Sequence, residues 1–264
     1  MVQIESASSS KIIYPDSDGQ PMADNTKQYR TIVWIHAGIE ALFKDDPDVF
    51  VAADLLWYPV EGNNTLRRAP DVMVAMGRPK GDRGSYQQWL ENNLPPQVVF
   101  EILSPGNTLR EMAAKLQFYD RYGVEEYYLY DPDTNDLTGW LRRGKELQVI
   151  EGMIGWVSPR LGIRFGIGTE LELYYPNGER FATYLEVLAQ LESERQRVEQ
   201  ERERVEQERQ RVEQERQRVE QERQRAEQER QRAEQAETLL KAEQRRSEAL
   251  AARLRAMGID PDQL

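Results

Sequence analysis

Cysteine is absent from the 264 residues, and histidine occurs once, as His36. Without cysteine there is no disulfide frame, no zinc ribbon and no thiol nucleophile. One histidine excludes a histidine-rich metal site and leaves a single candidate for a Ser-His-Asp triad. No serine in a nucleophile-elbow pattern accompanies it, so His36, four residues before Glu40 on a predicted helix, reads as a flanking surface residue. No stretch approaches the ~18 apolar residues of a membrane helix. The N-terminus lacks the charged-then-apolar layout of a secretory signal, and the expectation is a soluble cytoplasmic protein. Acidic residues outnumber basic ones, 46 to 35, for a net charge of −11. That balance opposes tight, indiscriminate binding to a polyanion. A nucleic-acid role would have to be local, metal-assisted, or both.

Glycine and proline are missing from Phe181 to Gly258, and Tyr184 is the last aromatic residue. Valine recurs every seventh residue there, at Val198, Val205, Val212 and Val219; Ala226, Ala233 and Leu240 keep the phase. The repeat unit is close to Val-Glu-Gln-Glu-Arg-Gln-Arg, made of strong helix formers. About 75 residues at ~1.5 Å each give a rod on the order of 110 Å. A two-stranded coiled coil wants two apolar positions per heptad, and this repeat supplies one. Pairs such as Glu206 with Arg209 and Arg209 with Glu213 support the helix at ~0.2–0.5 kcal/mol each. A weak parallel coiled coil and a solitary charged helix both remain open. Opposite charges cancel within each heptad, which speaks against a basic nucleic-acid arm. Leu239, Leu240, Leu250 and Leu254 form the stretch best suited to bring strands together.

The preceding part has the composition of a folded domain. Ile32, Ile35, Ile39 and Leu42 predict a helix over about 26–44, capped by Asp24 or Asn25. Val49–Val60 reads as a strand, and Pro70–Met76 opens another, with proline at the tolerated first position. A long loop over 77–97 carries a short helical piece around Tyr86–Glu91. Val98–Leu103 is an almost wholly apolar strand. A helix follows from Thr108 to about Tyr122, stopped by Gly123. Strands are predicted at Glu126–Tyr130, Leu137–Arg142, Leu147–Glu151 and Leu171–Tyr175. The five tryptophans are dispersed and read as core packing. The Gly77–Gly84 stretch lacks the ending of a phosphate-binding loop.

One residue in this domain is chemically out of place. Glu101 lies among Val98, Val99, Phe100, Ile102 and Leu103, where an ionised carboxylate is costly unless a cation or good donors face it. It either sits at a strand end and reaches solvent or caps the next turn, or it is a metal ligand or catalytic acid. Asp71, at the start of a strand, and Lys115, one to two turns into the following helix, could join it. Two carboxylates and an ammonium at strand ends suit a hard cation and an activated water. Asp54 is a further candidate carboxylate, or else a solvent-exposed strand aspartate. Arg67, Arg68, Arg78, Lys80 and Arg83 cluster around Asp71 and the long loop. They are the best candidate for phosphate contacts, against a reading as incidental charge on a solvated loop.

Pro70-Asp71-Val72, Val99-Phe100-Glu101-Ile102-Leu103-Ser104-Pro105, Lys115-Leu116-Gln117-Phe118-Tyr119 and Tyr122-Gly123-Val124-Glu125-Glu126-Tyr127-Tyr128 occur in that order. At these residues the chain resembles the Uma-type putative restriction endonuclease family of the PD-(D/E)XK nuclease superfamily, over about residues 26–175. The resemblance implies an α/β fold with a restriction-endonuclease-like mixed central sheet flanked by helices, here followed by one long charged C-terminal helix. It implies Mg²⁺ (or Mn²⁺) held by Asp71, Glu101 and the backbone carbonyl of Ile102. Leu103 stands where the superfamily pattern places lysine, and the resemblance assigns that role to Lys115. The implied activity is metal-dependent endonucleolytic hydrolysis of DNA. The competing expectation is a catalytically idle nuclease fold serving as a scaffold, with possible homo-oligomerisation through the tail. The expected organisation is an extension over 1–25, a nuclease-like domain over 26–181, the heptad helix over 182–257 and a tail over 258–264.

Overall fold

A computed structural model of the chain describes residues 12–258. The chain divides into two compact units between Leu188 and Ala189. In the first, helix α1 spans Thr26–Leu42, and the Asn25 side chain caps it by accepting from the amides of Lys27 and Gln28. Its buried face is Gln28, Ile32, Ile35 and Ile39, the spacing of one helical stripe. Strand β1 follows at Val49–Ala52 and β2 at Trp57–Tyr58, then β3 at Val72–Met76. The loop after β3 contains β4, Tyr86–Gln87, and one 3₁₀ turn, Gln88–Leu90. Strand β5 is Val98–Ile102 and helix α2 is Leu109–Arg121, with Thr108 as its cap. Strands β6 (Glu126–Asp131), β7 (Asp136–Arg143), β8 (Glu146–Val149), β9 (Arg164–Ile167) and β10 (Leu171–Tyr174) complete the unit.

The main sheet has the order β1-β3-β5-β6-β7-β8. Only β5 and β6 run parallel, and α2 is the crossover that a parallel pair requires. Strand β5 is covered on both faces, which accounts for its nearly continuous apolar run. One face packs Val72, Val74, Phe100, Ile102 and Tyr128 against α1 and the β9–β10 pair. The other packs Met73, Val99 and Tyr127 against Phe118 and Tyr119 of α2. Alternation along β5 therefore turns Glu101 toward α2. On α1, Gly38 lies against the Phe181 ring, so close that a β-carbon there would come within 2.0 Å of it.

The mixed α/β architecture is the expected one, with local departures. The expected strand over 49–60 is broken: Asp54 turns the chain with φ +50°, and β2 leaves the main sheet to pair with β4. The expected helical piece over 86–91 is β4 followed by the 3₁₀ turn. Strand β9 was not foreseen, because Gly162, Gly166 and Gly168 give its sequence the look of a turn.

The second unit is carried by helix α3, Tyr184–Ala256, whose first turn is fixed by reciprocal bonds between Thr183 and Glu186, a capping box. None of its residues is buried. Ion pairs run along it, among them Arg204–Glu201 at 3.2 Å and Arg230–Glu234 at 3.1 Å. No helix among the described residues is long and apolar enough to cross a membrane.

Candidate active site

Strands β3 and β5 are antiparallel neighbours with Val72 opposite Phe100. One step further along the same register, Asp71 comes beside Glu101. The structure ties the two together through the backbone: the Ile102 amide donates to Asp71 Oδ2 at 2.6 Å. Both carboxylates are sunk, with 9% of Asp71 and 2% of Glu101 exposed. Glu101 is held from α2. Lys115 Nζ donates to its Oε2 at 2.8 Å, and the Tyr119 hydroxyl donates to its Oε1. Residues 115 and 119 are one helical turn apart, so one face of α2 supplies both. Of the two readings of Glu101, the solvent-seeking strand end is therefore overturned.

The electrostatics follow from this crowding. Burial, and next the neighbouring Glu101, push the Asp71 pKa well above the usual carboxylate range, against the opposing pull of the Ile102 amide and Lys115. Burial works against the charge of Lys115, but Glu101, Asp71 and Glu111 outweigh it and hold its pKa above the ordinary lysine value. Asp54 is also raised, by burial first and then by Asp18 and Glu101. It lies in an exposed bend rather than in a strand, and its amide donates to Pro70 O, one residue before Asp71. Aspartate is one of the few non-glycine residues that adopt this left-handed conformation readily, which lets the chain turn here.

These groups open onto a cavity of about 680 Å³. Asp54, Asp71 and Lys115 are on its wall, as are Arg67 and Arg68. The basic cluster is thus divided. Arg78 and Arg83 both clamp Glu91 at 2.7 Å, and Lys80 pairs with Glu40 at 2.7 Å. Arg83 also lies 3.9 Å over the Phe50 ring. Arg78 and Arg83 hold the long loop together, Lys80 ties it to α1, and none of the three lines the cavity. His36 is half-buried on α1, its pKa lowered by burial, and it too is absent from the cavity wall.

Residues outside the sequence expectation also meet here. Gln28 Nε2 donates to the Ile102 carbonyl at 2.8 Å while its Oε1 accepts from the Asp24 amide. Its signal was a polar residue in phase with Ile32, Ile35 and Ile39 on the buried face of α1. The Tyr127 hydroxyl is buried and has no hydrogen-bond partner among the described residues, and its pKa is raised by burial and then by Glu101 and Asp71.

Among the described residues, no three His, Cys, Asp or Glu side chains gather as a ready-made metal cluster. The oxygen donors available are Asp71, whose Oδ2 accepts from the Ile102 amide, and the neighbouring Glu101 carboxylate, with the Ile102 carbonyl, held by Gln28, as the third that the resemblance implies. An all-oxygen set with two carboxylates suits magnesium, which keeps several waters and needs only one or two protein carboxylates. The unpartnered Tyr127 hydroxyl beside the acid pair is a further place for a bound water. The residues fit such an ion.

The domain is therefore a mixed α/β protein with helices on both faces of its sheet, built around two buried carboxylates on adjacent strands and an ammonium against one of them. The family model described as "Putative restriction endonuclease", Uma2, matches residues 4–172. The chain belongs to the Uma2 family. A crystal structure described as a putative nuclease belonging to DUF820, from Anabaena variabilis, is similar at 15% identity with a TM-score of 0.39, covering 51% of this chain and 72% of the other. No curated protein matches.

Proposed function

We propose that the domain is a cytoplasmic Mg²⁺- or Mn²⁺-dependent endonuclease that hydrolyses phosphodiester bonds of DNA. The observation that carries this reading is the Asp71–Glu101 pair: Asp71 and Lys115 line a cavity that also holds Arg67 and Arg68, and Glu101 lies behind them, bonded to Lys115. Asp71, Glu101 and the Ile102 carbonyl would hold the ion, which supplies Lewis-acid polarisation of the phosphate and a lower pKa for a bound water. Asp71 and Glu101 would fix its position from two adjacent strands. Gln28 holds the Ile102 carbonyl in place. Lys115 orients the attacking water and offsets charge that develops on the phosphorane. Arg67 and Arg68 bind the flanking phosphate oxygens.

The test is cleavage of plasmid and of single-stranded circular DNA with Mg²⁺, comparing the wild type with Asp71→Ala and Glu101→Ala. The reading expects cleavage by the wild type alone. Equal cleavage by all three proteins points to a contaminant and removes the assignment. A second reading, a catalytically idle scaffold, is favoured by the complete pairing of Glu101 with Lys115 and Tyr119 and by Leu103 at the lysine position. In that case divalent ions leave thermal stability unchanged.

A further inference from the structure

The chain before α1 is part of the cavity wall: Asp18, Gln20, Met22 and Asp24 line it. This strap is fastened at both ends. At its start, the Tyr58 hydroxyl donates to Pro15 O at 2.7 Å, and Asn64 Nδ2 donates to Ile13 O at 2.8 Å. The Gly62 amide donates to the Tyr14 hydroxyl at 2.6 Å. At its end, Ser104 Oγ donates to Asp24 Oδ2 at 2.5 Å, and the Asp24 amide bonds to Gln28. Between the fastenings, the Asp16 carboxylate sits over Gly84, where a β-carbon would come within 2.4 Å of it.

Resting on the nuclease reading, we infer that the substrate enters as a single polynucleotide strand, and that the strap keeps duplex out. Two physical points lead there. The first is reach. A scissile phosphate must descend toward carboxylates that are 9% and 2% exposed, within a wall shared by the strap, Arg67 and Arg68. A single backbone can bend into a cavity of about 680 Å³; a duplex, stiff over a persistence length of ~50 nm, holds its phosphates on a convex rim and cannot curve one strand into the cavity without local strand separation.

The second is charge. Duplex affinity grows with the number of phosphates neutralised by Lys and Arg. Here Arg78, Arg83 and Lys80 are already paired with carboxylates, the strap adds Asp16, Asp18 and Asp24, and the chain carries −11 overall. Arg67 and Arg68 are enough to hold the phosphates on either side of one cleavage site. They are too few for a groove-spanning footprint.

The test uses the full chain with Mg²⁺ or Mn²⁺ on four substrates: a labelled DNA strand, the same strand annealed to its complement, the matching RNA strand, and bis(p-nitrophenyl) phosphate. The expected result is hydrolysis of the small ester together with cleavage of a single strand at least ~10-fold faster than of the duplex. The two single strands distinguish DNA from RNA as the source of the backbone. Ester hydrolysis with duplex and single strand cut equally fast overturns the inference and leaves the nuclease reading standing. No hydrolysis of any substrate removes both. In the doubly substituted Tyr58→Phe, Asn64→Ala protein, whose strap has lost two fastenings, duplex cleavage rises relative to single-strand cleavage. An unchanged ratio overturns the strap as the cause.

Discussion

Lys115 Nζ lies 2.8 Å from Glu101 Oε2, an ammonium on a helix set against a carboxylate in the middle of a buried strand. The pair answers why a glutamate can stand between Phe100 and Ile102. The lysine, 15% exposed against 2% for its partner, is the main charge compensation that Glu101 has. Removing it as Lys115→Met leaves a buried charge without its counterion, a loss of about 3–5 kcal/mol. Chemical denaturation should show that loss, and Lys115→Arg should recover most of it. The arginine variant should nevertheless lose cleavage activity, because a planar guanidinium does not place its donors where one ammonium did.

Asp71 gives a pH dependence whose sign can be worked out. Its carboxyl is raised in the folded protein by burial first and by Glu101 second, so the folded state holds the proton more tightly than the unfolded chain. Its contribution to stability is therefore full below the ordinary carboxylate pKa and is lost as pH rises through the raised value. Asp71→Asn removes the charge and keeps an oxygen that can accept from the Ile102 amide. In metal-free buffer at neutral pH its melting temperature should exceed that of the wild type, with the gap closing toward acid pH. A wild-type protein more stable than Asp71→Asn throughout would show that the carboxylate is not under electrostatic stress. Added Mg²⁺ should raise the melting temperature of the wild type and not of the variant.

Glu91 separates structure from chemistry within the basic cluster. Two arginines clamp it at 2.7 Å with side chains 12–14% exposed, and despite the cost of burial they hold its pKa below the usual value. Glu91→Gln should lower stability by about 1–3 kcal/mol, and that contribution should be lost in the wild type as pH falls through the depressed carboxyl pKa. Cleavage under conditions where the variant stays folded should be unchanged, since neither Arg78 nor Arg83 lines the cavity. A loss of catalysis without a loss of stability would return the two arginines to the phosphate-binding set.

The sequence was legible where a local pattern and the tertiary outcome coincide. The α1 stripe, the apolar β5 and the capped α2 each carry their structural reason in adjacent residues. Glu101 declared itself because a charge in an apolar run demands a partner, and Lys115 was within one helix of it. What stayed hidden depends on contacts distant in sequence. Arg78 and Arg83 look like solvated loop charges until Glu91 folds back between them. Asp54 reads as part of a strand because the bend that displaces it is paid back only by pairing of β2 with β4. The strap over 12–24 has no periodicity at all, and its place on the cavity wall is set by Tyr58, Asn64 and Ser104.

Helix α3 calls for a different kind of test, since nothing in it is buried. Its valines remain 45–56% exposed, so each has only part of the ~1.5–3 kcal/mol of full side-chain burial left to gain in a coiled coil. A dimer would bury eight such residues, four from each copy over three heptad intervals, against an association cost of ~4–15 kcal/mol, which leaves little or no surplus. The intrahelical pairs need no partner: Arg197–Glu194, Arg204–Glu201, Arg218–Glu222 and Arg230–Glu234 are already made at 3.1–3.6 Å. The balance favours a solitary helix at micromolar concentration. Sedimentation of the full chain should give a monomer, as should a 1–181 truncation. Helicity in excess of the truncated protein should be independent of concentration, and should fall in 1 M salt, where screening acts within ~3 Å. A full-length dimer that becomes a monomer on truncation would instead make the valine row a seam between two copies, and its helicity would then follow concentration more closely than salt.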